Sequence, residues 1–216
     1  MKRHQVVLGV LICMAVLWSG EARAEQREDV VGIGALMVLP RINTSSSTGF
    51  AAVGWGVQGF AAYGVLQDLY VEARFGLWDQ GGNMSNVTLV VPSGTYRGNL
   101  FWTGEAYKAE LGLRYKVFSG FNLAPYLEAY GGYQWTTFTG QDLRNAAGGS
   151  YGLPIGDVGQ GAGTAGGGVA LEYRLFNVVL LSASCLYTKV WNSLYAGDLT
   201  IGIAAAFTWT SVATGF

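Results

Sequence analysis

Residues 107–118 read Tyr107-Lys108-Ala109-Glu110-Leu111-Gly112-Leu113-Arg114-Tyr115-Lys116-Val117-Phe118. The stretch alternates with a period of two. Tyr107, Ala109, Leu111, Leu113, Tyr115 and Val117 share one parity, and Lys108, Glu110, Gly112, Arg114 and Lys116 share the other. Successive side chains of a strand point to opposite faces, so this is a β-strand with one apolar face and one charged face; a helix would mix the two sets.

Composition narrows what such a strand can belong to. Apolar residues make up 50% of the chain and charged residues only 12%, against roughly 25–35% charge on a typical soluble surface. Beyond residue 24 there is no run of 18 or more apolar residues, and Val30–Pro40 comes nearest, so no helix is expected to span a bilayer. Only helices and closed β-barrels satisfy their backbone hydrogen bonds within lipid.

The first residues set the compartment. Lys2, Arg3 and His4 precede an apolar core at Val6–Trp18, and Ala22-Arg23-Ala24 presents small residues at the two positions a signal peptidase reads. Residues 1–24 are therefore expected to be a cleaved secretory leader, and residues 25–216 a single barrel domain. The apolar core is too short for a membrane anchor. Cys13 follows the bulky Ile12 inside that core, which argues against a lipoprotein site. Removing the leader takes Lys2, Arg3, Arg23 and Glu21, so 13 basic and 14 acidic residues become 10 and 13, a net charge of −3. This balance gives no reason to expect a nucleic-acid partner. Cys185 is then the only cysteine, so no internal disulfide can form.

Eight strands are expected, near 29–41, 49–65, 69–79, 100–118, 122–138, 161–175, 178–191 and 198–210. The connections alternate in length. Gln67-Asp68, Ser119-Gly120-Phe121 and Phe176-Asn177 are tight, whereas Ile42–Thr48, Gln80–Asn99, Gly140–Gln160 and Asn192–Gly197 are longer. Val87–Val91 and Thr95–Leu100 are candidates to extend strands three and four into the second of the long connections. Short turns at one end and long loops at the other form the pattern of an outer-membrane barrel, with the short turns periplasmic. The expected fold is all-β, an eight-stranded antiparallel up-and-down transmembrane barrel.

Two features decide which face looks inward. The charged parity is otherwise built from small residues: Gly54, Gly56, Gln58, Ala62 and Gly64 with Phe60 in strand two, Gly166, Gly168 and Ala170 in strand six, and Gly202, Ala204 and Ala206 in strand eight. An eight-stranded barrel is just wide enough for side chains to fill it, so long charged residues fit inside only among small neighbours. The apolar parity carries aromatics at two levels. Trp55, Tyr107, Tyr133, Trp135 and Tyr187 are expected toward the long-loop end, and Tyr63, Tyr115, Tyr173, Phe207 and Trp209 toward the short-turn end. Trp and Tyr favour the membrane–water interface, so these ten residues are read as two girdles. The lumen is then expected to hold Glu72, Glu110, Glu128 and Glu172 with Arg74, Lys108, Arg114, Lys116 and Arg174, Lys116 lying near the periplasmic mouth. A near-balance of signs suits mutual neutralisation better than an ion-selective ring of one sign.

The strand style of Leu111–Phe118, Ala124–Tyr133 and Gly166–Phe176 resembles that of the small OmpA/OmpX-like bacterial outer-membrane β-barrel family. The terminal Phe216 is similar to the final aromatic that the barrel-assembly machinery reads in such proteins. The apolar row ending at Trp209 places the end of the last strand near Thr210. The resemblance implies outer-membrane localisation after export through the periplasm, lipid as the surrounding partner, contact with the assembly machinery during biogenesis, a monomer, and loops that meet a ligand outside the cell.

Enzymatic chemistry finds little support. Some eight-stranded barrels resemble lipid A acyltransferases or deacylases that pair serine with histidine, and residues 25–216 contain no histidine. Cys185 falls on the apolar parity, and no metal site is expected without histidine or paired cysteines. Gly161-x-Gly163-x-x-Gly166 matches a dinucleotide fingerprint but opens a strand where that motif needs a strand before and a helix after it, so no cofactor is expected. The sequence points to a non-enzymatic outer-membrane protein with a structural or surface-interaction role and a charge-plugged lumen. A narrow gated, porin-like channel or small-molecule carrier is the alternative.

Overall fold

The computed structural model describes residues 26–43, 48–50, 53–118, 122–175, 178–191 and 195–212. The expected leader at residues 1–24, the turns at 119–121 and 176–177 and the terminal Phe216 lie outside the described residues. The described residues form nine strands: β1 Gln26–Asn43, β2 Thr48–Phe50, β3 Gly54–Leu66, β4 Leu69–Val91, β5 Gly94–Lys116, β6 Leu123–Arg144, β7 Val158–Leu175, β8 Val179–Val190 and β9 Tyr195–Val212. From β3 to β9, each strand pairs antiparallel with the next, and β1 pairs with both β3 and β9. The β1–β9 ladder, from Gln26↔Val212 to Ile42↔Tyr195, closes the sheet into a ring.

The ring itself has eight strands. β2 pairs only with Arg41–Asn43 of β1, on the edge that β3 occupies lower down, so the expected second strand is divided into β2 and β3. Closure leaves no edge in the barrel wall, which is how a sheet of this kind satisfies its backbone.

Parity is resolved along the defining stretch. In β5, Lys108, Glu110 and Arg114 are buried, while Tyr107, Leu111, Leu113 and Tyr115 face outward. The apolar face is thus the outer surface and the charged face lines the lumen. Small residues make the room. A Cβ on Gly32 would fall 2.4 Å from the Phe60 ring, and one on Gly112 would fall 2.2 Å from the Tyr130 ring. Both aromatic rings occupy lumen volume that any larger residue at these positions would claim.

The main departure from the expected strand limits is at the long connections. The long connection at Gln80–Asn99 is a two-stranded ribbon: Val87–Val91 and Thr95–Leu100 extend the strands as expected, and Gln80–Asn86 joins them to the barrel, so β4 runs to Val91, β5 begins at Gly94, and Pro92-Ser93 makes the turn. Gly94 has φ +143°, a conformation that favours glycine. Gly81, Gly82 and Asn83 break the alternation that marks a strand, but they pair with Thr103, Trp102 and Phe101. The backbone ladder holds this segment without help from a side-chain pattern. β6 likewise extends to Arg144, shortening the expected loop at Gly140–Gln160 to residues 145–157. At the other end the last strand runs to Val212, two residues past the expected Thr210.

The ten outward aromatics are all exposed. Toward the short turns, Tyr63 and Trp209 both pair with Asp29, Tyr115 pairs with Leu127, Tyr173 with Leu123 and Phe207 with Val179. Toward the long hairpins, Tyr107 pairs with Trp135, Tyr133 with Ala109, Trp55 with Asp79 and Tyr187 with Leu199.

Candidate functional site

The lumen is filled by side chains in successive layers. At the short-turn end, Arg174 of β7 forms an ion pair with Glu28 of β1. Glu28 also accepts from Thr208 Oγ1 at 2.6 Å and from Tyr70 OH at 3.4 Å. Above it, Arg114 meets three carboxylates from three different strands: Glu172 at 2.8 Å, Glu128 at 2.9 Å and Glu72 at 3.2 Å. Its guanidinium lies 4.4 Å from the centre of the Tyr126 ring. The Glu172 contact is also a hydrogen bond, the strong charge-assisted kind, whereas the Glu128 and Glu72 contacts are ion pairs without hydrogen-bond geometry.

Arg74 forms the next layer. It pairs with Glu72 at 2.8 Å and Glu128 at 3.5 Å, and donates to Tyr130 OH at 2.8 Å. Tyr130 OH in turn donates to Glu72 at 2.9 Å. Two guanidiniums therefore share three carboxylates, with Glu72 touching both and 0% exposed.

The last charged layer spans the barrel. Lys108 Nζ of β5 sits 3.1 Å from Asp198 of β9 and 3.7 Å from Glu110. It also donates to Thr188 Oγ1 at 3.3 Å, and it lies 5.5 Å from the Trp78 ring. Asp198, 0% exposed, accepts in addition from Thr200 Oγ1 at 2.9 Å. Between this layer and Arg74 lies a cavity of about 10 Å³ lined by Gln58, Arg74, Trp78, Lys108, Glu110 and others, room for about one water. Trp78 Nε1 and Gln134 Oε1, on residues next to Lys108, are buried without a protein hydrogen-bond partner.

Eight of the nine expected lumen charges thus meet an opposite charge. Lys116 stands apart: among the described residues it joins no ion pair, and its ammonium lies 5.9 Å from the Tyr126 ring. Two carboxylates in the network, Glu28 and Asp198, escaped the sequence reading. Each shares the parity of buried neighbours two residues on, Val30 and Thr200. Glu28 fell just outside the expected first strand, and Asp198 reads as the residue that follows a loop. Among the described residues they raise the lumen carboxylates from four to six, against five cations.

At the far end, the β6–β7 loop braces the β4–β5 ribbon. Tyr151 OH donates to Arg97 O at 3.0 Å, and the Tyr151 ring packs edge-on against Tyr96 with centres 5.2 Å apart. Asp142 accepts from Ser150 Oγ at 2.5 Å and from Arg144 Nε at 2.7 Å. These two contacts hold the Asp142 carboxyl below its ordinary range, that of Ser150 most strongly. Cys185 points outward from β8, and no cluster of metal-ligating side chains occurs among the described residues.

No family model and no curated protein sequence matches the chain. Solved structures do. The outer membrane protein OprG of Pseudomonas aeruginosa superposes with a TM-score of 0.57 at 14% identity, over 87% of this chain and 98% of that one. Neisserial surface protein A gives 0.54 at 14% identity, over 85% and 97%. Ail, the attachment invasion locus protein of Yersinia pestis, gives 0.53 at 14% identity, over 86% and 100%. At these identities the shared property is the fold, that of the small outer-membrane β-barrels.

Proposed function

We propose that the chain is a bacterial outer-membrane barrel without enzymatic activity, closed through its centre by buried ion pairs, with a structural or surface-interaction role carried by its long hairpins. The observation that carries the plug is the Lys108–Asp198 contact. β5 and β9 stand opposite each other in the eight-strand ring, so a side-chain bridge between them crosses the bore. The outward apolar band between two aromatic levels supports immersion in lipid. Short turns then face the periplasm and the β4–β5 and β6–β7 hairpins face outward, where loops on a rigid scaffold are free to bind. The absence of histidine from residues 25–216 and the outward position of Cys185 support a non-enzymatic role.

In this account residues 1–24 are removed on export, the assembly machinery inserts the barrel, and the protein is a monomer within its own membrane. Protein recovered from the outer-membrane fraction should have the intact mass of residues 25–216. Recovery in the periplasmic soluble fraction would overturn the assignment.

The plug is tested in a planar bilayer, where refolded wild-type protein should pass little or no current. A large, steady conductance would show an open lumen. The second reading, a narrow gated channel or small-molecule carrier, draws on Trp78 Nε1 and Gln134 Oε1, buried polar atoms without a protein partner next to Lys108. It expects brief openings that lengthen in Lys108→Ala.

A further inference from the structure

The outer wall carries opposite charges on opposite sides at one level. On β4 and β5, Asp79 and Glu105 are exposed and stand directly across the ladder from each other. On β1 and β8, Arg41 and Lys189 are exposed, and both pair with Gly197 of β9, which puts no side chain between them. Asp79 is ten residues from Leu69, where β4 begins, and Lys189 is ten from Val179, where β8 begins. At roughly 3.3 Å per residue and a tilt of about 40°, both lie about 25 Å up the wall. In the eight-strand ring, β4 and β5 stand across from β8 and β9.

Both charge pairs lack counterions. Like charges directly opposite in a sheet are destabilising, and among the described residues none of the four joins an ion pair. The chain around the basic pair holds no outward acid: residues 30–67 contain no Asp or Glu, and residues 178–216 contain only Asp198, which meets Lys108 in the lumen. The apolar band below is shaped as well. Phe75, four residues from Asp79 toward the short turn, is 53% exposed and stands between Gly59 of β3 and Ala109 of β5, so its ring projects beyond both neighbours. On the other side, a groove of about 570 Å³ crosses β1, β9 and β8, with Ala35, Ala183 and Ala205 low among Ile33, Ile203 and Leu181. The groove lies below Arg41 and Lys189 on their own strands, as Phe75 lies below Asp79 and Glu105.

We infer that barrels of this chain associate side by side in the membrane plane, the β4–β5 wall of one copy against the β8–β9–β1 wall of the next, with Phe75 seated in the groove and Asp79 and Glu105 on Arg41 and Lys189. Within lipid no hydrophobic drive brings barrels together, so fit and polar contact decide association. A lipid chain can fill a groove on one wall; a second copy matches ridge to groove and acid to base at the same two depths. The contact is head-to-tail, and its two faces lie on opposite sides of the barrel, so copies continue in a row. The inference rests on the proposed lipid immersion, and it keeps the closed monomer as the unit that folds.

The test uses the whole barrel, labelled at its amino terminus with a donor or an acceptor dye and refolded into vesicles, with energy transfer followed as the protein is diluted in lipid. Wild-type barrels should transfer energy well above the level of random mixing. Arg41→Glu with Lys189→Glu should weaken association on the order of tenfold or more, because like charges then meet. Asp79→Lys with Glu105→Lys should do the same. Mixing the two variants should restore association, since each supplies the sign the other lacks. Phe75→Ala, which leaves every charge in place, should weaken it several-fold. Migration of unboiled samples on gels checks that every variant is a closed barrel. Wild-type transfer at the random level would mean that lipid covers both walls, which overturns the inference and leaves immersion standing. Charge variants or Phe75→Ala that associate as wild type does, or a mixture that stays dispersed, also overturn the inference alone. Failure of the wild-type protein to insert overturns the outer-membrane reading and the inference with it.

Discussion

Replacing Arg114 with alanine is expected to destabilise the barrel by about 3–5 kcal/mol, the cost of removing one partner from a buried charge network. Arg114 is 3% exposed and contacts Glu72, Glu128 and Glu172. Arg74 still reaches Glu72 and Glu128 after the substitution. Glu172 has Arg114 as its only ion-pair partner among the described residues, so it bears the largest penalty. Arg114→Lys should recover only part of the loss, because an ammonium is a point charge and cannot fork onto three carboxylates. The measurement is the urea midpoint of protein refolded in detergent micelles, followed by gel migration of unboiled samples. An unchanged midpoint in Arg114→Ala would mean that the layer contributes nothing to closure. The same variant should raise bilayer conductance above that of wild type, since the most connected side chain of the plug is gone.

The second large effect belongs to the outer surface. Leu111 lies four residues from Tyr107 and four from Tyr115, is 53% exposed, and has the outward Ala73 and Gly131 beside it on β4 and β6. In a lipid-embedded barrel this position is near the midplane, so Leu111→Arg should cost about 2–4 kcal/mol, whereas Tyr115→Arg at the interface should cost about 0–1 kcal/mol. A water-exposed outer wall would give small and equal effects at both positions, because an arginine on an exposed strand face is close to neutral in water. Equilibrium unfolding of vesicle-inserted protein separates the two cases. Equal and small effects at both positions would argue against immersion. Glu110, the chain neighbour of Leu111, faces the lumen, so a one-residue step in sequence moves a charge from a satisfied site to a forbidden one.

That one-residue sensitivity explains what could be read without coordinates. Alternation is local: each side chain lies opposite its neighbours on the strand whatever the rest of the chain does. The faces of Tyr107–Lys116, the inward set of Glu72, Arg74, Lys108, Glu110, Arg114, Glu128 and Glu172, and the outward aromatics follow from parity and composition. The small lumen residues follow from volume, since Phe60 and Tyr130 can enter a narrow bore only opposite positions such as Gly32 and Gly112.

Tertiary structure decided everything that depends on register around the closed ring. Lys108 and Asp198 are ninety residues apart in sequence and meet across the bore. Their heights agree only because every intervening ladder, from β5–β6 through β8–β9, fixes an offset, and no local pattern carries the sum of those offsets. Glu28 meets Arg174 for the same reason, through the β1–β9 closure. The extensions at Val87–Val91 and Thr95–Leu100 were legible in their residues, but their continuity with the barrel wall was not, because Gly81, Gly82 and Asn83 are held by backbone hydrogen bonds, which leave no trace in side-chain periodicity. Parity belongs to a single strand and is written in its residues; register belongs to the closed sheet and is settled only when the last strand meets the first.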